Sequence, residues 1–287
     1  MNTTFKWTGA TERELLQRLS AENSATTKKR VAAYERISPR EIGSFRKTNV
    51  IVPEGKTLSL PLLLATAGVT IMEFAVKPYA TLQLSCLQDL KNDESGMTIF
   101  KIILERGATL ETFAGMFGGA SASLFLETTL DGEGSSVHER TLFFGDDTQV
   151  FDMFSTTTLR GENTRAVIES KGILIDSAQA RFDGSIIIKE GAKKSNAQLL
   201  EHTLLLSPEA KMNAIPGLTI ETNDVFATHS ASMTRVDDEQ LFYCKSRGIE
   251  EREAIRLIAE GFLSTIYADS PEKERIYTLI QNKLCKL

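Results

Sequence analysis

The chain has 287 residues, a formal net charge of −5, 41% hydrophobic residues and 25% charged ones. These proportions argue against a disordered or membrane-spanning protein, and the length suits one dominant core with smaller attachments. No basic cluster accompanies the acidic balance, so nucleic acid is disfavoured as the main partner.

The N-terminus, MNTTFKWTGATERELL, lacks a basic stretch followed by an apolar one. No signal peptide is read there, and a cytoplasmic location is expected. A first helix is expected from Thr11, which can form a capping box with Glu14, each side chain satisfying the other residue's backbone N–H. Leu15, Leu16 and Leu19 give this helix a narrow apolar stripe. A second helix is expected over TKKRVAAYERI, ending before Pro39, because the residue preceding a proline is pushed out of the helical region. Residues 1–48 are thus expected to form a helical appendage.

Over residues 49–235 the helical period gives way to strand-like runs: VTIMEFAV, MTIFKIIL, SASLFLETTL, VHERTLFF, VFDMFSTTTL, GSIIIKE and EHTLLLS, rich in β-branched and aromatic residues. Turn signals at Gly107, Gly118-Gly119, Asp131-Gly132, Gly145 and Gly161 are spaced by 11, 14, 13 and 16 residues. That beat, with small residues opening the next run as in GATLETF and GGASASLF, predicts a β-solenoid. A β-sandwich is the alternative, since it also shows short strands at even spacing. The longest apolar run, Leu60 to Met72, is too short and interrupted to cross a bilayer, so no membrane partner is expected.

Helical periodicity returns over residues 236–287. Asp237 can cap a helix with Gln240 as capping-box partner, and Gly248 can close it in the left-handed conformation. The next stretch places Ile255, Ile258, Ala259, Phe262, Leu263 and Ile266 on one apolar face. A last helix is expected with Ser270 as N-cap and Pro271 at its first position, where the missing N–H costs nothing.

Phosphate-binding loops of the forms GxxxxGK[ST] and GxGxxG are absent, as are GxSxG and HExxH. The chain is therefore not expected to hydrolyse ATP itself. Cys86, Cys244 and Cys285 have neither CxxC spacing nor an even count, and Cys244 is expected to be a buried, inert thiol in its helix. The acid pairs Asp146-Asp147 and Asp237-Asp238 read as turn formers and caps. His138 and His202 lie on predicted strands without a second ligand at i+2 or i+4. His229, in ATHSAS, is surrounded by small side chains that leave room for a second chain or a cluster.

From Arg181 to Leu263 the segments FDG, LLLSPEA, IPGLTIETNDV, the His229 stretch and DDEQLFYCKSRGI fall in the order and spacing of one known family. On these motifs the chain resembles the SufB/SufD proteins of the SUF iron–sulfur cluster assembly system. The resemblance weakens over the middle and is only general at the N-terminus. It implies a mainly β protein, a right-handed parallel β-helix flanked by N- and C-terminal α-helical regions. The pattern is closest to SufD: Ala210 stands where SufB carries a cysteine, and THSAS replaces the glutamate-flanked histidine of SufB. Ala227 and Ser230 depart from residues often found in SufD.

The resemblance further implies a scaffold subunit that pairs with a SufB-like chain, or a second copy of itself, and recruits a SufC-like ATPase through the C-terminal helices. Leu241, Phe242 and Tyr243 are the candidate partner-binding residues. His229 is the candidate metal ligand toward an iron–sulfur cluster that is transient and exists only in the complex, none being tightly bound to the isolated chain. Two alternatives stand beside this reading: a structural homo-oligomeric β-helix with no direct role in iron binding, and a carbohydrate-active β-helix enzyme.

Overall fold

The computed structural model describes residues 45–286. Fourteen strands fill its first part: β1 (Phe45–Val52), β2 (Thr57–Leu64), β3 (Gly68–Val76), β4 (Thr81–Gln88), β5 (Ser95–Leu104), β6 (Thr109–Met116) and β7 (Ser121–Leu130), then β8 (Ser136–Gly145), β9 (Val150–Leu159), β10 (Arg165–Leu174), β11 (Gln179–Ile188), β12 (Ser195–Leu205), β13 (Lys211–Ile220) and β14 (Val225–Thr234). Odd-numbered strands form one seven-stranded sheet and even-numbered strands the other, each in sequence order. Every pairing is parallel. A sandwich of hairpins would pair consecutive strands antiparallel; here each strand pairs with the one two places on, which makes a parallel β-helix of about six turns. The capping box at Thr11–Glu14 and the helix expected up to Ile37 lie outside the described residues. β1 begins at Phe45, inside the region expected to be helical.

One corner of the solenoid repeats in six of the seven turns from an odd to an even strand. Gly55, Tyr79, Gly107, Gly134, Asn163 and Lys194 each adopt a left-handed φ between 56° and 69° at the turn from an odd to an even strand. Each N–H donates to the carbonyl of the corresponding turn one coil on, as Gly55 to Pro78, Tyr79 to Arg106 and Asn163 to Lys193, so the corners stack into a ladder of their own. Only three of the six positions are glycine. Non-glycine residues hold the others at a cost of about 1 kcal/mol each, met by the stacked hydrogen bonds.

Alternation then decides the core. Residues such as Phe100, Leu124, Phe143, Met153, Ile168, Phe182 and Leu199 point between the sheets and form one continuous buried cluster. The edges of the two sheets are β1 and β13 in one, β2 and β14 in the other. A proline sits on two of these edges, Pro61 in β2 and Pro216 in β13.

Three helices follow: α1 (Asp238–Ser246), α2 (Glu251–Tyr267) and α3 (Lys273–Leu284). They do not cap the last coil. Ala259, Leu263 and Ile266 of α2 with Ile276, Ile280 and Leu284 of α3 pack on the outer face of the even sheet, against Phe113, Phe117, Leu142, Phe144 and Ile173. Arg140 donates to the Ile266 carbonyl near the C-terminus of α2, where a cation also meets the negative end of the helix dipole. Lys171 donates to Thr265 Oγ1 at 2.6 Å.

Details of the caps differ from the sequence reading. Asp237 caps α1 by accepting from the Glu239 N–H at 2.9 Å, but this bond leaves Gln240 outside the expected reciprocal box. Gly248 has φ +81°, as its closing role requires. Ser270 Oγ accepts from the Glu272 N–H, and α3 starts at Lys273 rather than at Pro271, because a turn closed by the Lys273 N–H to the Ser270 carbonyl comes first. Asp146 is more than a turn former: it is buried and ion-paired with Lys283 and Lys286 of the C-terminal segment, tying the far end of the chain to the β8–β9 turn.

Candidate functional site

Two surfaces carry the residues singled out by sequence. The first is the terminal coil. β14 pairs with β12 in a register that sets Ala227 over Ala197, His229 over Leu199 and Ala231 over Glu201. Ala197 and Leu199 face the core, so His229 lies in an inward-facing row that, among the described residues, no further coil covers. The imidazole is exposed, with only methyl groups of Ala227 and Ala231 beside it in its row. Opposite, Met212 and Leu218 of β13 pack on the core cluster. Ile220 and Met233 are exposed at the rim. The result is an open, apolar-rimmed end of the solenoid holding one imidazole.

One coil deeper, beneath Ala231, lies a carboxyl group that sequence reasoning missed. Glu201 is wholly buried, and burial pushes its carboxyl from 4.5 up to about 7, partly offset by a hydrogen bond from Thr203. The signal was available, since Glu201 shares the parity of Ala197 and Leu199 in its strand. A half-protonated acid beneath the terminal coil can give or take a proton near neutral pH.

The other histidines sit elsewhere. His138 is on the outer face of the even sheet, 2.9 Å from Glu169 Oε2. His202 meets Ser232 Oγ at 2.6 Å, and burial pushes its imidazole below the usual value, with Lys171 acting the same way. Among the described residues no group of three or more His, Cys, Asp or Glu side chains is placed to hold a metal ion. The structure therefore does not gather the three histidines into one centre.

The second surface is formed by α1 and α2. α1 has no buried residue at all: Leu241 is half-buried, Phe242 is 74% exposed and Tyr243 59% exposed. The Arg247 guanidinium covers one face of the Tyr243 ring at 5.3 Å. Between α1, α2 and the end of β14 runs an open groove of about 880 Å³, lined by Leu204, Val236, Tyr243, Cys244, Leu257 and Phe262 among others. Cys244 is half-buried on this groove, not buried as expected, because α1 packs mainly on α2 and the groove leaves the thiol open. Lys245 and Glu251, 2.6 Å apart, close the tight connection between the two helices.

Comparison with known proteins bears on both surfaces. Residues 36–262 match the family described as "SUF system FeS cluster assembly, SufBD core domain". The chain is 33% identical over 203 residues to the iron–sulfur cluster assembly protein SufD of Bacillus subtilis, covering 67% of this chain and 46% of that protein. It is 25% identical over 262 residues to an iron–sulfur cluster assembly SufBD family protein of Mycobacterium leprae, covering 89% of this chain and 30% of that one. A Staphylococcus saprophyticus protein of the same description is also 25% identical, with 88% and 56% covered. The chain thus spans from about a third to just over half the length of these relatives. The matched segment covers the whole solenoid together with α1 and most of α2, and the chain belongs to the SufBD family of the SUF system.

Proposed function

We propose that this chain is a SufD-like scaffold subunit, not an enzyme, that acts in the cytoplasm in iron–sulfur cluster assembly. It pairs with a SufB-like chain through its terminal coil and recruits a SufC-like ATPase through α1 and the adjoining groove. The observation that carries this reading is the position of His229, exposed on the edge strand β14 at the uncovered end of the core. An edge strand offers unpaired backbone groups to a second chain, so a partner seated there comes directly against the imidazole. A neutral imidazole is a borderline ligand that releases iron more readily than a thiolate, which suits a site that passes its cargo on. The cluster is cargo held between subunits, with further ligands supplied by the partner.

The α1 surface supports the second half of the reading. Phe242 and Tyr243 present aromatic area on a helix that has no buried residue, beside an open groove of about 880 Å³. Expression of the His229→Ala chain with SufB- and SufC-like partners tests the site. Because the imidazole is exposed, stability should change by no more than about 0.5 kcal/mol, and the complex should form, yet cluster assembly in cells should fail. Normal assembly by this variant would remove His229 from the mechanism. Phe242→Ala with Tyr243→Ala should abolish capture of the ATPase while leaving the SufB-like chain bound. ATPase capture at parent affinity would put its docking surface elsewhere.

A further inference from the structure

One inward-facing row of the even sheet is built mostly from short side chains. Cys86 of β4, Ala114 of β6, Thr141 of β8, Ser170 of β10, Glu201 of β12 and Ala231 of β14 stand in register on six adjacent strands. The row on one side carries Ile168 and Leu199, the row on the other Met116 and Phe143. A strip with little bulk therefore runs along the axis of the solenoid between two taller rows.

The strip is not apolar. Ser170 and Glu201 are both 0% exposed. Among the described residues, Ser170 Oγ and Glu201 Oε2 have no hydrogen-bond partner, while Thr203 donates to the other Glu201 oxygen. Glu139, two residues before Thr141 on the same face of β8, is 1% exposed. Neither of its oxygens has a partner at full hydrogen-bond geometry, although the Ser155 hydroxyl faces it from β9. Thr112, its register neighbour on β6, and Thr157, two residues beyond Ser155, are buried with unpartnered hydroxyls as well. Buried polar groups of folded proteins are satisfied by the protein itself or by ordered water, so unpartnered oxygens gathered beside a strip of short side chains mark a place for water.

We propose that this strip binds a single file of water molecules that carries protons between Glu139 and the open end of the solenoid at Ala231. From Glu139 to Glu201 is two strand spacings across and two residues along, about 12 Å between backbones. About four hydrogen bonds of about 2.8 Å span that distance, and Ser170, in register with both Thr141 and Glu201, provides one of the steps. Glu201 is the last polar group of the row, followed only by the exposed methyl group of Ala231. Both acids suit proton transfer, since burial raises each carboxyl to about 7. The file needs no partner chain, and it opens two residues from His229 on the same strand.

Proton exchange followed by infrared spectroscopy tests this. The full chain at pH 6, where both buried acids are mostly protonated, is mixed rapidly into D2O. The carbonyl stretch of each protonated carboxyl is assigned by its loss in Glu139→Gln or Glu201→Gln. An acid sealed in a dry core exchanges only when the fold opens, at the pace of the slowest amides. The Glu139 band should instead shift at least about tenfold faster than those amides. Ser170→Val, which fills the strip and removes the hydroxyl, should slow Glu139 at least about tenfold and leave Glu201 fast. If this variant does not fold, Ala231→Leu at the exposed end decides: it should slow both acids, and unchanged rates overturn the proposal. A Glu139 band that exchanges with the amides in the parent overturns it too. So does a folded Ser170→Val chain in which Glu139 stays fast or Glu201 slows with it, since protons then enter by another route.

Discussion

Glu139 stands on β8 inside the solenoid, 1% exposed, with Thr112 and Ile168 as its register neighbours and Ser155 reaching toward it from β9. Burial pushes its carboxyl from 4.5 up to about 7, the Ser155 hydroxyl offsetting part of the rise. The fold thus prefers the protonated acid. Below the unfolded value the group is protonated in both states and its contribution is fully present; between 4.5 and about 7 the unfolded chain releases the proton while the folded chain holds it, and stability falls with rising pH. At about 1.4 kcal/mol per pH unit the loss across that window is about 3 kcal/mol. Glu139→Gln keeps the shape and removes the ionisation. The variant and parent should have similar urea midpoints at pH 4.5, and by pH 8 the variant should be more stable by about 3 kcal/mol at equal m-value. Glu201, raised in the same way two strands further on, keeps its own pH dependence in both proteins, so the difference isolates Glu139. Stability curves for parent and variant that run parallel from pH 4.5 to 8 would refute the buried-acid assignment.

Gly172→Ala should destabilise the fold by about 1–3 kcal/mol in chemical denaturation, because the added methyl would sit 2.0 Å from the Phe143 ring in a filled core. Lys283→Ala should cost about 3 kcal/mol and raise amide exchange in α3, since it takes away one of two cations holding the buried Asp146. Burial alone would raise the Asp146 carboxyl, but Lys283 and Lys286 outweigh it and hold it below the usual value, so the stability it contributes should be lost as pH falls through the acid range. Deleting Asp237 to Leu287 should abolish ATPase capture while far-ultraviolet circular dichroism stays β-rich. The truncated chain should bind a hydrophobic dye and self-associate, because Phe113, Phe117, Leu142, Phe144 and Ile173 lose their cover.

The solenoid was legible where strands carry large side chains inward, as in MTIFKIIL and VFDMFSTTTL. Strands such as β10, RAVIESKGIL, and β14, VFATHSASMT, were not read, since polar and small residues on one face blunt the alternation. The irregular glycine beat has a physical cause: the stacked corner tolerates Tyr79, Asn163 and Lys194 in place of glycine, because hydrogen bonds to the next turn offset the cost of the left-handed backbone. α2 showed its apolar face plainly, but which surface it covers depends on contacts with Phe113 and Phe144, more than a hundred residues away. His229 was singled out from its small neighbours and the family resemblance; Glu201 already shared the parity of Ala197 and Leu199 in its strand, but its place under Ala231 needed the register.

The two edge prolines limit what the rod can become. A proline fits a paired strand only where its missing N–H faces away from the neighbour, so Pro61 and Pro216 each delete one donor from the outward side of a sheet, one at either end. Copies stacked head to tail would meet β13 and β14 with β1 and β2, continue the parallel ladder without limit, and find a gap in both seams. Endless fibres are thereby discouraged. β14 has no proline and keeps its full set of donors, so the terminal coil offers one intact seam, and that seam runs past the imidazole.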